Sequence, residues 1–125
     1  MASRILVLES APDFTPELQR QFLSDDVRVQ HCTRPADVLE RVSGRDRIVV
    51  VLPFGSREAE CMQLLAKLFV LPNAVSSIVI GSPETAELEG PVKELGATVF
   101  LAERPTGHRL ASACRRQLHS RIATN

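Results

Sequence analysis

The residues of this chain able to do chemistry are few and scattered. His31 and Cys32 stand side by side, and His108 lies far along the chain. A Cys–His pair makes a nucleophile when an acid orients the ring. No such acid is evident beside either His, and Cys32 suits a half-buried strand end better. Glu9 and Asp13 are carboxylates close together in sequence, but a divalent cation needs several oxygen ligands at once. The plainer reading makes Glu9 a solvated residue at a strand end and Asp13 a turn residue after Pro12. Gly81-Ser82-Pro83 and Gly55-Ser56 offer backbone amides and hydroxyls to an anion. Neither has the spacing of a phosphate loop or dinucleotide fingerprint, so a turn and a helix cap explain them better.

Composition narrows the field further. The chain has 125 residues, enough for one domain spanning 1–125 with a genuine core. Fifteen Lys plus Arg balance fifteen Asp plus Glu, so net charge directs it toward neither nucleic acid nor a membrane surface. There is no Trp or Tyr for base stacking. Cys32, Cys61 and Cys114 form no C-x-x-C pair, which disfavours a disulfide framework or zinc site and fits a reducing, cytoplasmic setting. No signal peptide or membrane span is expected. No cofactor and no metal are expected either.

The elements that must position these residues are organised around Asp46 to Gly55. That stretch runs through Ile48-Val49-Val50-Val51-Leu52 and stops at Pro53 and Gly55. Five consecutive apolar residues predict a strand buried on both faces, central in a parallel sheet. Ligands gather beyond the carboxyl ends of such strands. Here that end presents Val51, Leu52, Pro53 and Phe54, none of which ionises, binds a metal or attacks an electrophile.

Around this strand the chain alternates. Arg4 to Ser10 is a first strand. Thr15 is expected to cap a helix with Pro16 at its first position and Leu18, Phe22 and Leu23 inward. Val27 to Cys32 form a strand whose polar interruptions, Arg28 and Gln30, suggest a sheet edge. A helix follows from Thr33 to Val42, closed by Gly44. Ser56 is expected to cap a third helix reaching Leu71, with Cys61, Leu64, Leu65, Leu68 and Phe69 as its stripe and Pro72-Asn73 as its stop. Ile78 to Ile80 is a fourth strand. Glu84 to Gly96 is weakly helical and interrupted by Gly90-Pro91. Thr98 to Leu101 is a fifth strand. Thr106 or Gly107 begins a last helix, with Leu110, Cys114, Leu118 and Ile122 along one line. Five such alternations call for an α/β fold, a five-stranded parallel sheet with helices on both faces.

Glu94-Leu95-Gly96-Ala97-Thr98-Val99-Phe100-Leu101 with Arg104-Pro105, together with the alternation and length, resembles the receiver domain of two-component response regulators. The resemblance implies a flavodoxin-like, three-layer sheet of order 2-1-3-4-5 with five helices. It also implies a working site to be carried over residue by residue. The acid pair that holds magnesium falls at Glu9 and Ser10. The phosphate-accepting Asp falls at Val51, or at Leu52 if the register slips by one. The hydroxyl ending the fourth strand falls at Gly81, with Ser82 beside it, and the Lys before proline falls at Glu103 or Arg104. Only Ser82, Arg104 and Pro105 survive as remnants. Phosphorylation needs a carboxylate nucleophile, which neither valine nor leucine supplies. The resemblance therefore points to a non-phosphorylatable pseudo-receiver, not an enzyme, acting as a protein-interaction or dimerisation module in signal transduction.

Charge suggests where such a module would dock. From Arg104 onward the chain carries Arg104, Arg109, Arg115, Arg116 and Arg121 with no acid, while Glu84 to Glu103 holds five acids and one lysine. The face of the fourth helix, fifth strand and fifth helix is then expected to meet a protein partner or a second copy, with Arg104, Arg109, Arg115 and Arg116 on it. The plainer alternative is a solvated helix whose basic end complements its dipole. Nucleic-acid binding is disfavoured. Two other readings stay open: a flavodoxin-like small-molecule or anion-binding domain, possibly an enzyme, with its site over the strand ends, and a receiver sensing through Cys32 or through an anion at Ser82 and Arg104.

Overall fold

A computed structural model describes residues 2–42, 44, 46–72 and 75–123, the last four of these by backbone only. Five strands, β1 (Ser3–Leu8), β2 (Val27–Cys32), β3 (Arg47–Pro53), β4 (Val75–Ile80) and β5 (Val99–Leu101), alternate with helices α1 (Phe14–Gln21), α2 (Pro35–Arg41), α3 (Glu58–Phe69), α4 (Glu89–Glu94) and α5 (Gly107–Ala123). A 3-10 segment, Pro83–Leu88, precedes α4. The sheet is wholly parallel and ordered β2-β1-β3-β4-β5, so the flavodoxin-like, receiver-type topology expected from the sequence is the one observed. β2 lies at an edge, as its polar interruptions imply.

The unbroken apolar runs split their side chains between two cores, because successive residues of a strand face opposite ways. Ile5, Val7, Val49, Val51, Ile78 and Ile80 pack under α1 and α5 with Leu18, Phe22, Leu110 and Cys114. Leu6, Leu8, Val50, Leu52 and Val79 pack under α2, α3 and α4 with Val38, Leu64, Leu65 and Val92. Both faces of the central strands are thus dry, and no polar residue interrupts Ile5 to Leu8 of β1 or Ile48 to Leu52 of β3.

Several local expectations shift. α1 starts at Phe14 and has no cap from Thr15, so Pro16 stands third in the helix. Leu23 follows the helix and is exposed. α2 begins at Pro35, and the carboxylate of Asp37 accepts the Arg34 backbone N–H at 3.2 Å. Gly44, beyond the helix end, takes φ +94°, the left-handed region expected of a residue closing a helix. Ser56 does not cap α3, which begins after Arg57 and ends at Phe69, not Leu71. Phe69 leaves the apolar stripe and is 67% exposed. Asn73 lies outside the described residues, and so does the side chain of Ile122.

β4 starts three residues earlier than its apolar run, because Ser76 and Ser77 are buried within it. Neighbouring backbone accommodates Ser77: its carbonyl accepts the Thr98 N–H at 2.9 Å. Gly90-Pro91 does not break α4 but sits in its first turn, where proline costs no hydrogen bond. α5 begins at Gly107, one of the two starts expected, and the Thr106 hydroxyl before it accepts the Arg109 N–H at 3.1 Å.

Candidate functional site

The strand order reverses between β1 and β3, which opens a crevice beyond their carboxyl ends. A cavity of about 430 Å³ occupies that place. Its apolar floor includes Leu8, Pro53, Phe54 and Ile80, with Phe14 at the side, and its polar rim includes Ser10, Ser56, Ser82, Thr85, Arg57 and Arg104. Glu9, Asp13, Gly55 and Gly81 also reach it.

Glu9 is the first polar residue after β1, and it is not the solvated end residue expected; it is 8% exposed. Its carboxylate turns inward and accepts the first backbone N–H groups of α1. Oε1 accepts from Phe14 N at 3.1 Å. Oε2 accepts from Asp13 N at 2.9 Å, Thr15 N at 3.0 Å and the Thr15 hydroxyl at 2.7 Å. The first N–H groups of a helix have no intrahelical partner and carry partial positive charge, so a carboxylate there is doubly favoured. Glu9 caps α1 from the preceding strand, doing the work that Thr15 was expected to do. On the other side, His31 Nε2 donates to the Glu9 carbonyl at 2.7 Å, tying the end of β2 to the end of β1.

Asp13 and Arg104 come from opposite ends of the sequence and meet above this cap. Arg104 Nη1 and Nη2 donate to the two Asp13 oxygens at 2.8 and 2.7 Å, a two-pronged pair. The guanidinium lies over the Phe14 ring, 4.4 Å from its centroid. Arg104's hydrogen bond holds the Asp13 carboxyl below its ordinary range.

Across the cavity, Arg57 precedes α3. Its Nε donates to Glu60 at 2.8 Å, and its Nη2 donates to the Thr33 carbonyl at 3.0 Å. Its Nη1 stands 3.5 Å from the Ser10 hydroxyl. Sequence reasoning passed Arg57 over. Its only local signal is the Arg-x-x-Glu spacing of an ordinary surface pair.

The β3 side of the cavity contributes no acid. Val51 and Leu52, the positions matching a phosphoacceptor, are both 0% exposed and lie in the two cores beneath the floor. The strand continues to Pro53, and that residue, with Phe54, faces the opening. At the end of β4, Gly81 is required by close packing. A Cβ there would stand 2.6 Å from the Thr85 hydroxyl and 2.8 Å from the Phe100 ring. Phe100 in turn meets Phe54 edge-on, with centroids 6.2 Å apart. Ser82 donates its backbone N–H to Thr85 Oγ1 at 2.8 Å.

The divalent cation that the resemblance implies has no ligand set here. Both oxygens of Glu9 are engaged by α1, and both oxygens of Asp13 by Arg104. Among the described residues no three His, Cys, Asp or Glu side chains gather into a metal-binding group. The residues present do not fit the ion.

The remaining candidates lie apart from this cavity. Glu103 and Arg109 line a separate hollow of about 350 Å³ with Phe100, Leu101, Ala102 and Pro105. Arg115 turns toward α1, donating to Asp25 at 3.2 Å and to the Gln21 carbonyl at 2.7 Å, with its guanidinium 4.5 Å from the Phe22 centroid. Arg116, Arg109 and His108 are exposed on α5. Cys32 is buried, with Arg41 Nη1 at 3.2 Å from its sulfur; burial raises its pKa, which Arg41 only partly offsets. Burial pushes Cys61 up to about 11 and Cys114 up to about 12. A protonated, buried thiol is a poor nucleophile.

No protein-family model matches the chain, and no curated protein does. Solved structures do match. The receiver domain of the TMAO respiratory system response regulator TorR superposes with a TM-score of 0.76 at 17% identity, covering 94% of this chain and 98% of that one. A response regulator receiver protein from Burkholderia phymatum gives 0.72 at 16% identity, covering 94% and 95%. A streptococcal structure described as belonging to a family of redox sensors evolved from two-component response regulators gives 0.75 at 17% identity, covering 98% of this chain and 54% of that one. Among the described residues, no helix is long and apolar enough to cross a membrane. The fold of this chain is that of a response-regulator receiver domain.

Proposed function

We propose that the chain is a pseudo-receiver, a single receiver-like unit over 1–125 that takes no phosphoryl group and acts in signal transduction by protein contact. The observation that carries this reading is the commitment of every carboxylate at the cavity. Glu9 holds α1, Asp13 holds Arg104, and β3 carries Val51 and Leu52 at the matching positions with Pro53 at the opening. In this reading the chain is not an enzyme and works in the cytoplasm.

Its docking face is the one built by α4, β5 and α5. Glu84, Glu87, Glu89 and Glu94 are exposed on the acidic part, Arg109 and Arg116 on the basic part, with the hollow at Pro105 and Arg109 between them. A second copy placed about a twofold axis would set acid against base in both directions. Arg104 and Arg115 contribute to this face less than the sequence suggests, because both reach toward α1.

Sedimentation equilibrium and amide NMR, with and without magnesium and beryllofluoride, test the reading together. The expected result is a dimer whose mass and spectra do not change on addition. Saturable shifts around Pro53 and Ser82 that require magnesium and beryllofluoride together would overturn the pseudo-receiver assignment. A monomer at every concentration would overturn self-association and leave a different protein as the partner.

A further inference from the structure

The cavity over the carboxyl ends of β1, β3 and β4 has a feature that loss of phosphorylation does not explain. It keeps two guanidinium groups on opposite walls, Arg57 before α3 and Arg104 before α5. Both are held by partners at the surface. Asp13 and Arg104 have side chains 54% and 62% exposed, and Glu60, which holds Arg57, is 50% exposed. Exposed pairs of this kind give way readily, because water and salt replace much of what either partner gains. Glu9 is the opposite case: it lines the cavity but is buried and bonded to four donors, so it is not free to exchange.

We propose that this cavity binds an organic phosphate monoester, with Arg57 and Arg104 receiving the phosphate and the apolar floor receiving the ester's body. The volume of about 430 Å³ falls in the range of small-molecule sites. Pro53, Phe54 and Ile80 make a floor suited to a flat apolar group. A phosphate monoester presents three oxygens, more than a carboxylate, and the rim has donors to match. Ser10, Ser56 and Ser82 share that rim with the two guanidiniums, the Ser10 hydroxyl 3.5 Å from Arg57 Nη1. Entry of the phosphate displaces Asp13 from Arg104 in an exchange of one anion for another, with no covalent step. The same exchange releases the Asp13 carboxylate, giving the module a reversible input. The binding site stands whether or not the chain self-associates.

Phenyl phosphate is the probe, titrated into the full chain by calorimetry and by amide NMR. Saturable binding with Kd below about 1 mM is expected, with shifts at Gly55, Ser56, Gly81 and Ser82. Arg57→Gln and Arg104→Gln are each expected to weaken binding about tenfold or more, and Arg109→Gln to leave it unchanged. Asp13→Asn releases Arg104 and is expected to tighten binding. That sign is opposite to what loss of structure would give, and it keeps the test informative if an arginine variant fails to fold. Benzoate and inorganic phosphate are expected to bind more weakly than phenyl phosphate. Absence of saturation at about 10 mM overturns the proposal. Binding unaffected by either arginine variant, weakened by Asp13→Asn, or equalled by inorganic phosphate alone also overturns it.

Discussion

The two helical layers of this molecule are held in very different ways. On one side α1 is strapped at both ends to the segment that carries α5. At its start, Arg104 lies over Phe14 and pairs with Asp13; at its end, Arg115 lies over Phe22 and pairs with Asp25. The two straps repeat one arrangement, a guanidinium between an aromatic face and a carboxylate. On the other side the 3-10 segment buries none of its residues, and α4 is anchored by Val92 alone among its fully buried side chains. The proposed docking face lies on the α4 side, and the contrast gives a physical reason. A surface that recognises partners is drawn from the weakly anchored end of a structure. The strapped layer fixes the Asp13 and Arg104 side of the cavity rim instead.

The largest expected effect comes from removing the group that unites strand and helix on the strapped side. Glu9→Ala leaves three backbone N–H groups and one hydroxyl without their acceptor, and is expected to cost about 3 kcal/mol in urea unfolding. Glu9→Gln retains one oxygen and is expected to fall between. A loss below about 1 kcal/mol for Glu9→Ala would mean that water caps α1 equally well and would erase the contrast.

A smaller effect separates neighbouring arginines. Arg115→Ala removes an ion pair, a hydrogen bond to a backbone carbonyl and a ring contact, and is expected to cost about 1–2 kcal/mol. Arg116→Ala, one residue on, is exposed and is expected to stay within about 0.5 kcal/mol of the parent. Equal costs would show that the strap at the end of α1 carries no special load.

The smallest effect belongs to Asp13, whose pair is exposed on both sides. Asp13→Asn is expected to cost less than about 1 kcal/mol at neutral pH. Its folded pKa lies below its unfolded value, so the contribution is present above the ordinary carboxylate pKa and is lost as pH falls through the folded one. The difference in stability between parent and variant should therefore shrink on acidification. A difference that grows in acid would show that the carboxylate is not what holds Arg104.

How much of this was legible in the sequence follows the range over which each interaction acts. The strands of Ile5 to Leu8 and Ile48 to Leu52 announced themselves, since a side chain in a doubly covered strand must be apolar whatever its distant neighbours are. Their order in the sheet came from the resemblance. The start of α1 was misplaced because Thr15 satisfies a local rule that a distant group overrode. Glu9 reaches up to six residues forward to the N–H groups of Asp13, Phe14 and Thr15, so the helix begins earlier, and no pattern within one element encodes that reach. Ser76 and Ser77 hid the first half of β4, because a buried polar side chain looks like a loop until its partners are seen. The cavity was half visible: Glu9, Ser82 and Arg104 were named from the resemblance, whereas Arg57 has no counterpart in the motif that carried it.

The position of Glu9 also bears on how such a chain changes over generations. The Glu9 carboxylate secures a helix, and withdrawing it threatens the fold itself. Placing an aspartate at Val51 would bury a lone charge in a dry layer and would not recreate a cation site. Building a cation site here would require several coordinated replacements, each harmful when made first. Helix cap and cation ligand exclude one another at this position, and the stability of the fold holds Glu9 to the first.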